Sequence, residues 1–172
     1  MTERPDRRHD LTNGMADFVL AQGLDAATLR PLAAAAGVSD RMLLYYFKDK
    51  SQAMNAAFAC LLDRLKSALD AQTQIRPLPI GRLRGKVVPL LLADDFWPYM
   101  QLWLDITARA SRGDPQHRAD GQALRQVLLD WVQGRLASDD ANQRARLMMM
   151  IEAAIHQKAL GLRDTPVDPD GD

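Results

Sequence analysis

The segment GVSDRMLLYYFKDK, residues 37–50, decides the fold of the N-terminal part of this chain. It places five large side chains, Leu43 to Phe47, in one run between a glycine turn and a polar break. A helix of about two turns cannot direct all five into one core, because successive residues point about 100° apart. Some of these side chains must therefore face outward, where an aromatic ring is available to a partner.

The residues before and within this run predict two short helices joined by a tight turn. Thr28 is expected to cap the first helix, and Gly37 to end it in the left-handed conformation. Ser39 is expected to cap the second helix. On that helix Leu43 and Phe47, one turn apart, share the inward face.

The opposite face of the second helix presents Arg41, Leu44 and Tyr45, with Tyr46 on the rim between the two faces. Two helices joined by a glycine turn, the second displaying arginine and aromatics, are typical of a helix-turn-helix. The alternative is a packed corner whose aromatic side chains belong to the core.

The wider stretch TLRPLAAAAGVSDRMLLYYFKDKSQAMNAAF, Thr28–Phe58, resembles the DNA-binding segment of TetR-family transcriptional regulators. In that family a capped helix leads into Gly-Val-Ser, an L-x-x-Y-F segment and a basic residue that opens the fourth helix. Those places are taken here by Leu43, Tyr46, Phe47 and Lys50. The chain departs from the pattern where it has Leu44 instead of the family's common tyrosine. The resemblance spans roughly the first 60 residues, and the remainder is similar only in being helical.

The resemblance implies which side chains of this segment touch DNA. Base-facing positions fall on Arg30, Asp40, Arg41, Leu44 and Tyr45. Phosphate-facing positions fall on Met42, Tyr46 and Lys50. The chemistry suits several of them, because arginine binds guanine bidentately, leucine or tyrosine packs on a thymine methyl, and tyrosine and lysine donate to phosphate. Met42 has no side-chain donor, so only its backbone could serve.

The whole chain predicts an all-α fold, because strand signals are nearly absent and glycine, proline and aspartate clusters divide it into helical segments. The expected helices are 8–22, 28–36, 40–46, 50–73, 81–93, 95–112, 115–137 and 140–161. Three divisions follow: a helix-turn-helix DNA-binding domain at 1–50, a larger helical ligand-binding and dimerisation domain at 51–163, and a disordered tail at 164–172.

Bulk composition narrows the classes of function. The 172 residues carry a formal net charge of zero, with 22 basic and 22 acidic residues. A single cysteine, Cys60, and the lack of a signal peptide or a long apolar run predict a soluble cytoplasmic protein without a membrane partner. The three histidines are scattered and no catalytic motif occurs, so we expect no metal, no cofactor and no enzyme.

Two apolar stripes on the last predicted helices are candidates for a homodimer interface. The resemblance implies that these helices meet their symmetry mates in a four-helix bundle. The stripe residues are Leu124, Leu128, Trp131, Leu147, Ile151 and Ile155. The alternative is that both stripes face only the core of their own chain.

Aromatic and methionine side chains in the middle of the chain are candidates for a ligand pocket, although such a stripe is more often plain core. The candidates are Trp97, Met100, Trp103, Leu104, Thr107 and Met149. Taken together, the sequence predicts a ligand-responsive regulator, a repressor that binds a palindromic double-stranded operator as a homodimer and is released by a small apolar effector. The alternative is a helical dimeric small-molecule-binding protein or enzyme without DNA binding.

Overall fold

The computed structural model describes residues 4–72 and 76–162, with side chains from residue 7 onward. This part of the chain forms eight helices and no β-strand, which confirms the predicted all-α fold. The helices are α1 Arg4–Ala26, α2 Leu29–Ala35, α3 Asp40–Tyr46, α4 Lys50–Asp70, α5 Ile80–Leu91, α6 Trp97–Ser111, α7 Pro115–Gln133 and α8 Ala141–Ala159. None of these helices is both long enough and apolar enough to cross a membrane. The predicted tail, residues 164–172, lies outside the described residues.

The chain divides into two compact units, Met1–Arg64 and Leu65–Asp172, and the division falls inside α4. The predicted boundary at residue 50 coincides instead with the first residue of α4. The first unit therefore contains α1 to α3 and α4 as far as Arg64.

Each unit buries an apolar core built from one-turn repeats. In α1, Leu11, Met15 and Val19 recur every four residues and are almost fully buried, as an amphipathic helix requires. The first unit completes this core with Leu32, Ala33, Leu43, Phe47, Ala53, Ala57 and Leu61. The second unit builds its own from Leu65, Leu69, Leu83, Val87, Leu91, Met100, Leu102, Ile106, Leu124, Leu128, Val132, Leu147, Met148, Ile151 and Ile155.

Capping residues set where the later helices begin. Asp114 accepts a hydrogen bond from the His117 amide at 3.0 Å, and Asp140 accepts one from the Asn142 amide at 2.8 Å. These side chains satisfy amide groups that have no partner inside the helix.

Helix α7 ends at Gln133, four residues before the predicted end at 137, because the chain there forms an extended pairing. The Leu78 amide donates to the Arg135 carbonyl, and the Ala137 amide donates to the Leu78 carbonyl, each at 2.9 Å. This single parallel bridge replaces the last helical turn and fixes the residues that lead into α5.

Helix α1 comes close to the end of α2 at Gly14. A Cβ atom on Gly14 would lie 2.6 Å from the Ala35 carbonyl oxygen and 3.2 Å from the Ala36 Cα. Both atoms belong to the backbone, so they cannot rotate aside as a side chain would. The absence of a side chain at Gly14 therefore sets the distance between α1 and the end of α2.

We expect Gly14→Ala to lower the free energy of unfolding by about 1–3 kcal/mol, because overpacking against backbone outweighs the gain in helix propensity. Urea denaturation followed by circular dichroism measures the change. Gly85→Ala is the matched control, since nothing lies within 4 Å of a Cβ at this exposed position. This substitution should raise the free energy of unfolding by about 0.5–1 kcal/mol. Equal behaviour of the two variants would contradict the close approach.

Candidate nucleic-acid interface

The turn between α2 and α3 has the geometry that the glycine predicts. Gly37 has a φ of 70°, in the left-handed region that glycine tolerates best. The Gly37 amide donates to the Ala34 carbonyl and the Val38 amide to the Ala33 carbonyl, both at 3.0 Å. These bonds satisfy carbonyl groups at the end of α2 and fix the direction in which the chain enters α3.

The two predicted helix caps differ in the structure. Ser39 caps α3 as expected, because its hydroxyl accepts a hydrogen bond from the Met42 amide at 3.3 Å. Thr28 occupies the cap position of α2 in extended conformation but makes no side-chain cap bond. The first helix of the corner therefore depends on packing, whereas the second also has a side-chain cap.

The predicted division of α3 into two faces is confirmed. Leu43 and Phe47 are fully buried. On the other side Leu44 is 41% exposed, Tyr45 is 66% exposed and Arg41 is exposed. Tyr46 is half-buried on the rim, and its ring meets that of Tyr45 edge-on at 5.3 Å between centroids. The inward pair anchors the helix, and the outward residues form a surface available to a partner.

The C-terminal end of α3 is held by a residue that the sequence analysis did not assign. Phe47 leaves the helix in extended conformation, and the Arg8 guanidinium of α1 lies 5.0 Å from the centre of its ring. The cation–π contact joins the start of α1 to the end of α3. No local pattern could have shown it, because the two residues are far apart in sequence.

The start of α4 is fixed by a reciprocal cap. The Asp49 carboxylate accepts from the Gln52 amide, and the Gln52 side chain accepts from the Lys48 amide, both at 2.8 Å. An Asp followed three residues later by Gln is a capping pattern visible in the sequence. The exposed Lys50 is the first residue of this helix, where the helix dipole adds partial positive charge.

The remaining predicted DNA-facing residues are placed as follows. Arg30, on α2, is exposed, and Asp40, in the first turn of α3, is half-buried. Met42 is 45% exposed, but its amide already donates to Ser39. The phosphate contact through the Met42 backbone stays a prediction, and the amide that would make it is engaged by Ser39.

A polar network ties α1 to α4 inside the first unit. The Arg64 guanidinium donates to Asn13 at 2.8 Å and to Asp17 at 2.5 Å, and the Cys60 thiol donates to the same Asn13 oxygen at 3.3 Å. Partial burial raises the pKa of the Cys60 thiol, and Arg64 opposes the rise without cancelling it. Cys60 therefore stays protonated at neutral pH and acts as a packing residue.

The second unit contains a pocket of about 280 Å³ among α6, α7 and α8. Of the predicted pocket residues, Trp103, Leu104 and Thr107 line it. The other three do not. Met100 is fully buried in the core, Met149 is 58% exposed, and Trp97 lies under the Lys158 ammonium at 4.5 Å from the ring centre. Lys158 also donates to the Leu92 carbonyl, so Trp97 belongs to a contact between α6 and α8.

The predicted interface residues are buried inside the second unit. The six stripe residues, Leu124, Leu128, Trp131, Leu147, Ile151 and Ile155, are all at most 5% exposed in the single chain. The Trp131 indole N–H donates to the Leu69 carbonyl at 2.7 Å, which satisfies a carbonyl at the end of α4. These side chains form the core of their own unit and leave no area for a partner.

Comparisons with known proteins agree with this geometry. Residues 19–57 match the family model described as bacterial regulatory proteins, tetR family. The chain is 28% identical over 145 residues to the HTH-type transcriptional regulator BetI of Rhizobium meliloti (strain 1021), covering 82% of this chain and 71% of that protein.

Solved structures share the fold over nearly the whole chain. The crystal structure of SCO7518 from Streptomyces coelicolor A3(2) superposes with a TM-score of 0.69 at 19% identity, covering 96% of this chain and 92% of that one. A tetR-family transcriptional regulator from Streptomyces coelicolor gives a TM-score of 0.64 at 19% identity, covering 96% and 74%. At these identities the likeness shows the fold alone.

A capped, outward-facing helix that follows a glycine turn is characteristic of helix-turn-helix DNA-binding proteins. Within this class, the family model and the BetI relative both indicate a transcriptional regulator. Residues 19–57 match the TetR-family segment, and the chain resembles the transcriptional regulators of that family.

We expect Ser39→Ala to lower the free energy of unfolding by about 1 kcal/mol, because the Met42 amide loses its cap. Thr28→Ala is the matched control and should cost at most a few tenths of that, since its hydroxyl makes no cap bond. Urea denaturation of both variants beside the wild type gives the two values. A loss in Thr28→Ala as large as in Ser39→Ala would contradict the cap assignment.

Proposed function

We propose that this regulator is a repressor that binds a palindromic operator as a homodimer and leaves it when a small effector binds the second unit. The observation that carries the proposal is the outward face of α3, held at its start by the Ser39 cap and at its end by buried Phe47. Rigid mounting matters because base readout requires hydrogen-bonding groups placed within a few tenths of an ångström.

The exposed residues of α3 are suited to the major groove. Arg41 presents two parallel donors, which match the O6 and N7 acceptors of guanine. Leu44 and Tyr45 offer apolar surface for a thymine methyl. Half-buried Asp40 either accepts from a cytosine amine or orients Arg41, and exposed Arg30 reaches the groove from α2.

Phosphate contacts are assigned to the rim of the same surface. Tyr46 offers its hydroxyl, and Lys50 offers its ammonium at the start of α4. These contacts set the register of the helix in the groove without reading sequence. Met42 is left out of this group because its amide is engaged, and its exposed side chain offers only apolar contact.

Dimerisation is assigned to the outer face of α8. Five exposed residues recur at one-turn spacing there, and four of them are apolar: Ala145, Met149, Ala153, His156 and Leu160. Met149 and Leu160 are 58% and 73% exposed. An apolar stripe of this kind favours an isologous contact with a second copy, in which the stripe meets itself across a two-fold axis. Dimerisation would place two α3 helices for half-sites about 34–36 Å apart.

Release from DNA is assigned to the pocket among α6, α7 and α8. A ligand that binds only one arrangement of the dimer shifts the population toward that arrangement, and an arrangement with mismatched recognition helices has low affinity for the operator. A DNA partner and a single unpaired cysteine both favour the cytoplasm as the location.

We expect Arg41→Ala to weaken binding to the operator by about 1–3 kcal/mol and to relax the base preference at one position of each half-site. Lys50→Ala should weaken binding to all duplexes alike and reduce the salt dependence by about one phosphate contact per subunit. Mobility shifts on DNA flanking the gene, at several salt concentrations, measure both effects.

Arg82→Ala, an exposed arginine of α5, is the matched control and should bind DNA like the wild type. If Arg41→Ala and Arg82→Ala bind the operator equally well, α3 is not the reading helix. If the wild type prefers no duplex over another at any salt concentration, the operator proposal is wrong.

We expect Met149→Glu to raise the dissociation constant of the dimer by at least about tenfold, because the two-fold axis brings the new charge close to its own copy. Gln101→Glu, which adds the same charge at an exposed position of α6, is the control. Sedimentation equilibrium over a range of concentrations measures both. A wild-type monomer, or a Met149→Glu dimer as tight as the wild type, would remove the α8 interface.

A further inference from the structure

The pocket among α6, α7 and α8 has an apolar wall on one side. Trp103 and Leu104 of α6 and Ile155 of α8 form this wall, and Ala110 leaves space near the end of α6. The indole of Trp103 is a broad, flat surface, which suits a planar apolar group. A volume of about 280 Å³ lies near the lower end for ligand sites, so the occupant must be small.

Gly121 of α7 borders the pocket and carries no side chain. A Cβ atom there would lie 3.2 Å from the Ile106 Cγ2, so α7 approaches α6 closely at this point. Gln122 of α7 and Thr107 of α6 also border the pocket. The glycine therefore permits a close approach of α6 and α7 at the edge of the pocket.

Three charged side chains border the pocket, and two of them neutralise each other. The Arg125 Nε atom lies 3.0 Å from the Glu152 carboxylate, which pairs α7 with α8. The His156 ring is held beside this pair, with its Nδ1 atom 2.7 Å from the Glu152 carbonyl oxygen. Arg118 is exposed at the mouth, and no ion pair engages its guanidinium within the described ranges. The pocket thus has one uncompensated positive charge beside an apolar wall.

We infer that this pocket binds a small amphipathic anion, an aromatic or otherwise apolar carboxylic acid. Its apolar body packs on Trp103 and Leu104, and its carboxylate pairs with Arg118 at the mouth. A guanidinium binds a carboxylate bidentately, and Gln122 lies one turn further along α7 as an additional donor. A cationic ligand fits poorly, because the single carboxylate of the pocket is already engaged by Arg125.

The inference deepens the proposed function, since it names the chemical class of the effector that the repressor proposal leaves open. It differs from the sequence-based prediction of a small apolar effector by adding an anionic group. A neutral apolar molecule would use the Trp103 wall but gain nothing from Arg118.

The test uses three probes of nearly equal shape on the wild-type chain without DNA. They are 1-naphthoate, 1-naphthamide and 1-naphthylmethylamine, and titration calorimetry measures each affinity. We expect the carboxylate to bind at least about tenfold more tightly than the amide, and the amine to bind most weakly. Raising the salt concentration should weaken the carboxylate more than the amide.

Two variants locate the binding. Arg118→Gln should remove the preference for the carboxylate and leave the amide affinity unchanged. Arg112→Gln, which removes an exposed arginine that does not line the pocket, is the matched control and should keep the preference. Ala110→Phe should fill the space and weaken all three probes, and thermal unfolding shows that each variant is folded.

Equal binding of carboxylate and amide to the wild type would overturn the inference, and so would binding of no probe. A preference that survives Arg118→Gln, or that is lost equally in Arg112→Gln, would overturn it as well. Operator binding is measured separately with and without 1-naphthoate. If the acid binds through Arg118 but leaves the operator complex intact, the pocket assignment stands and the proposed release mechanism fails.

Discussion

The constraint on which the first unit depends is the shortness of α3. Seven residues, Asp40–Tyr46, provide one inward face, and Leu43 together with the following Phe47 fills it. The other large side chains have no core to enter, so the helix must expose them. The Ser39 cap and the Arg8–Phe47 contact hold the two ends of α3. The exposed side chains therefore project from a fixed helix rather than a frayed one. Exposure thus follows from the shortness of α3, and rigidity from the contacts at its two ends.

The sequence predicted best the features that depend on neighbouring residues. The two faces of α3 follow from helical spacing, the turn follows from Gly37, and the Asp49–Gln52 cap was visible though not assigned. It predicted poorly the features that depend on distant partners. Neither the approach of Gly14 to Ala35 nor the Arg8–Phe47 contact leaves any local pattern.

The predicted dimer interface shows the same dependence on distant partners. Periodic apolar residues on α7 and α8 show that one face of each helix is buried, but they do not show what buries it. The Trp131 indole, for example, contacts the Leu69 carbonyl, which is distant in sequence and lies beside the indole only in the folded chain. Only three of the six predicted pocket residues line the pocket, for a similar reason. Trp103, Leu104 and Thr107 share one side of α6, whereas the lining from α7 and α8 is set by helix packing.

The neutral charge of the N-terminal part is consistent with DNA binding once the acidic groups are placed. The Asp17 carboxylate pairs with Arg64, and the Asp49 carboxylate accepts the Gln52 amide, so both are already engaged within the first unit. Near α3 this leaves Arg30, Arg41, Lys48 and Lys50 exposed, with half-buried Asp40 as the opposing charge. So few cations add only modestly to the affinity for DNA, because each contact between a cation and a phosphate contributes separately to it. A single unit with this surface would bind DNA weakly, and adequate affinity would require two copies on one duplex. The sparse charge of the first unit is therefore a physical reason to expect the second unit to dimerise.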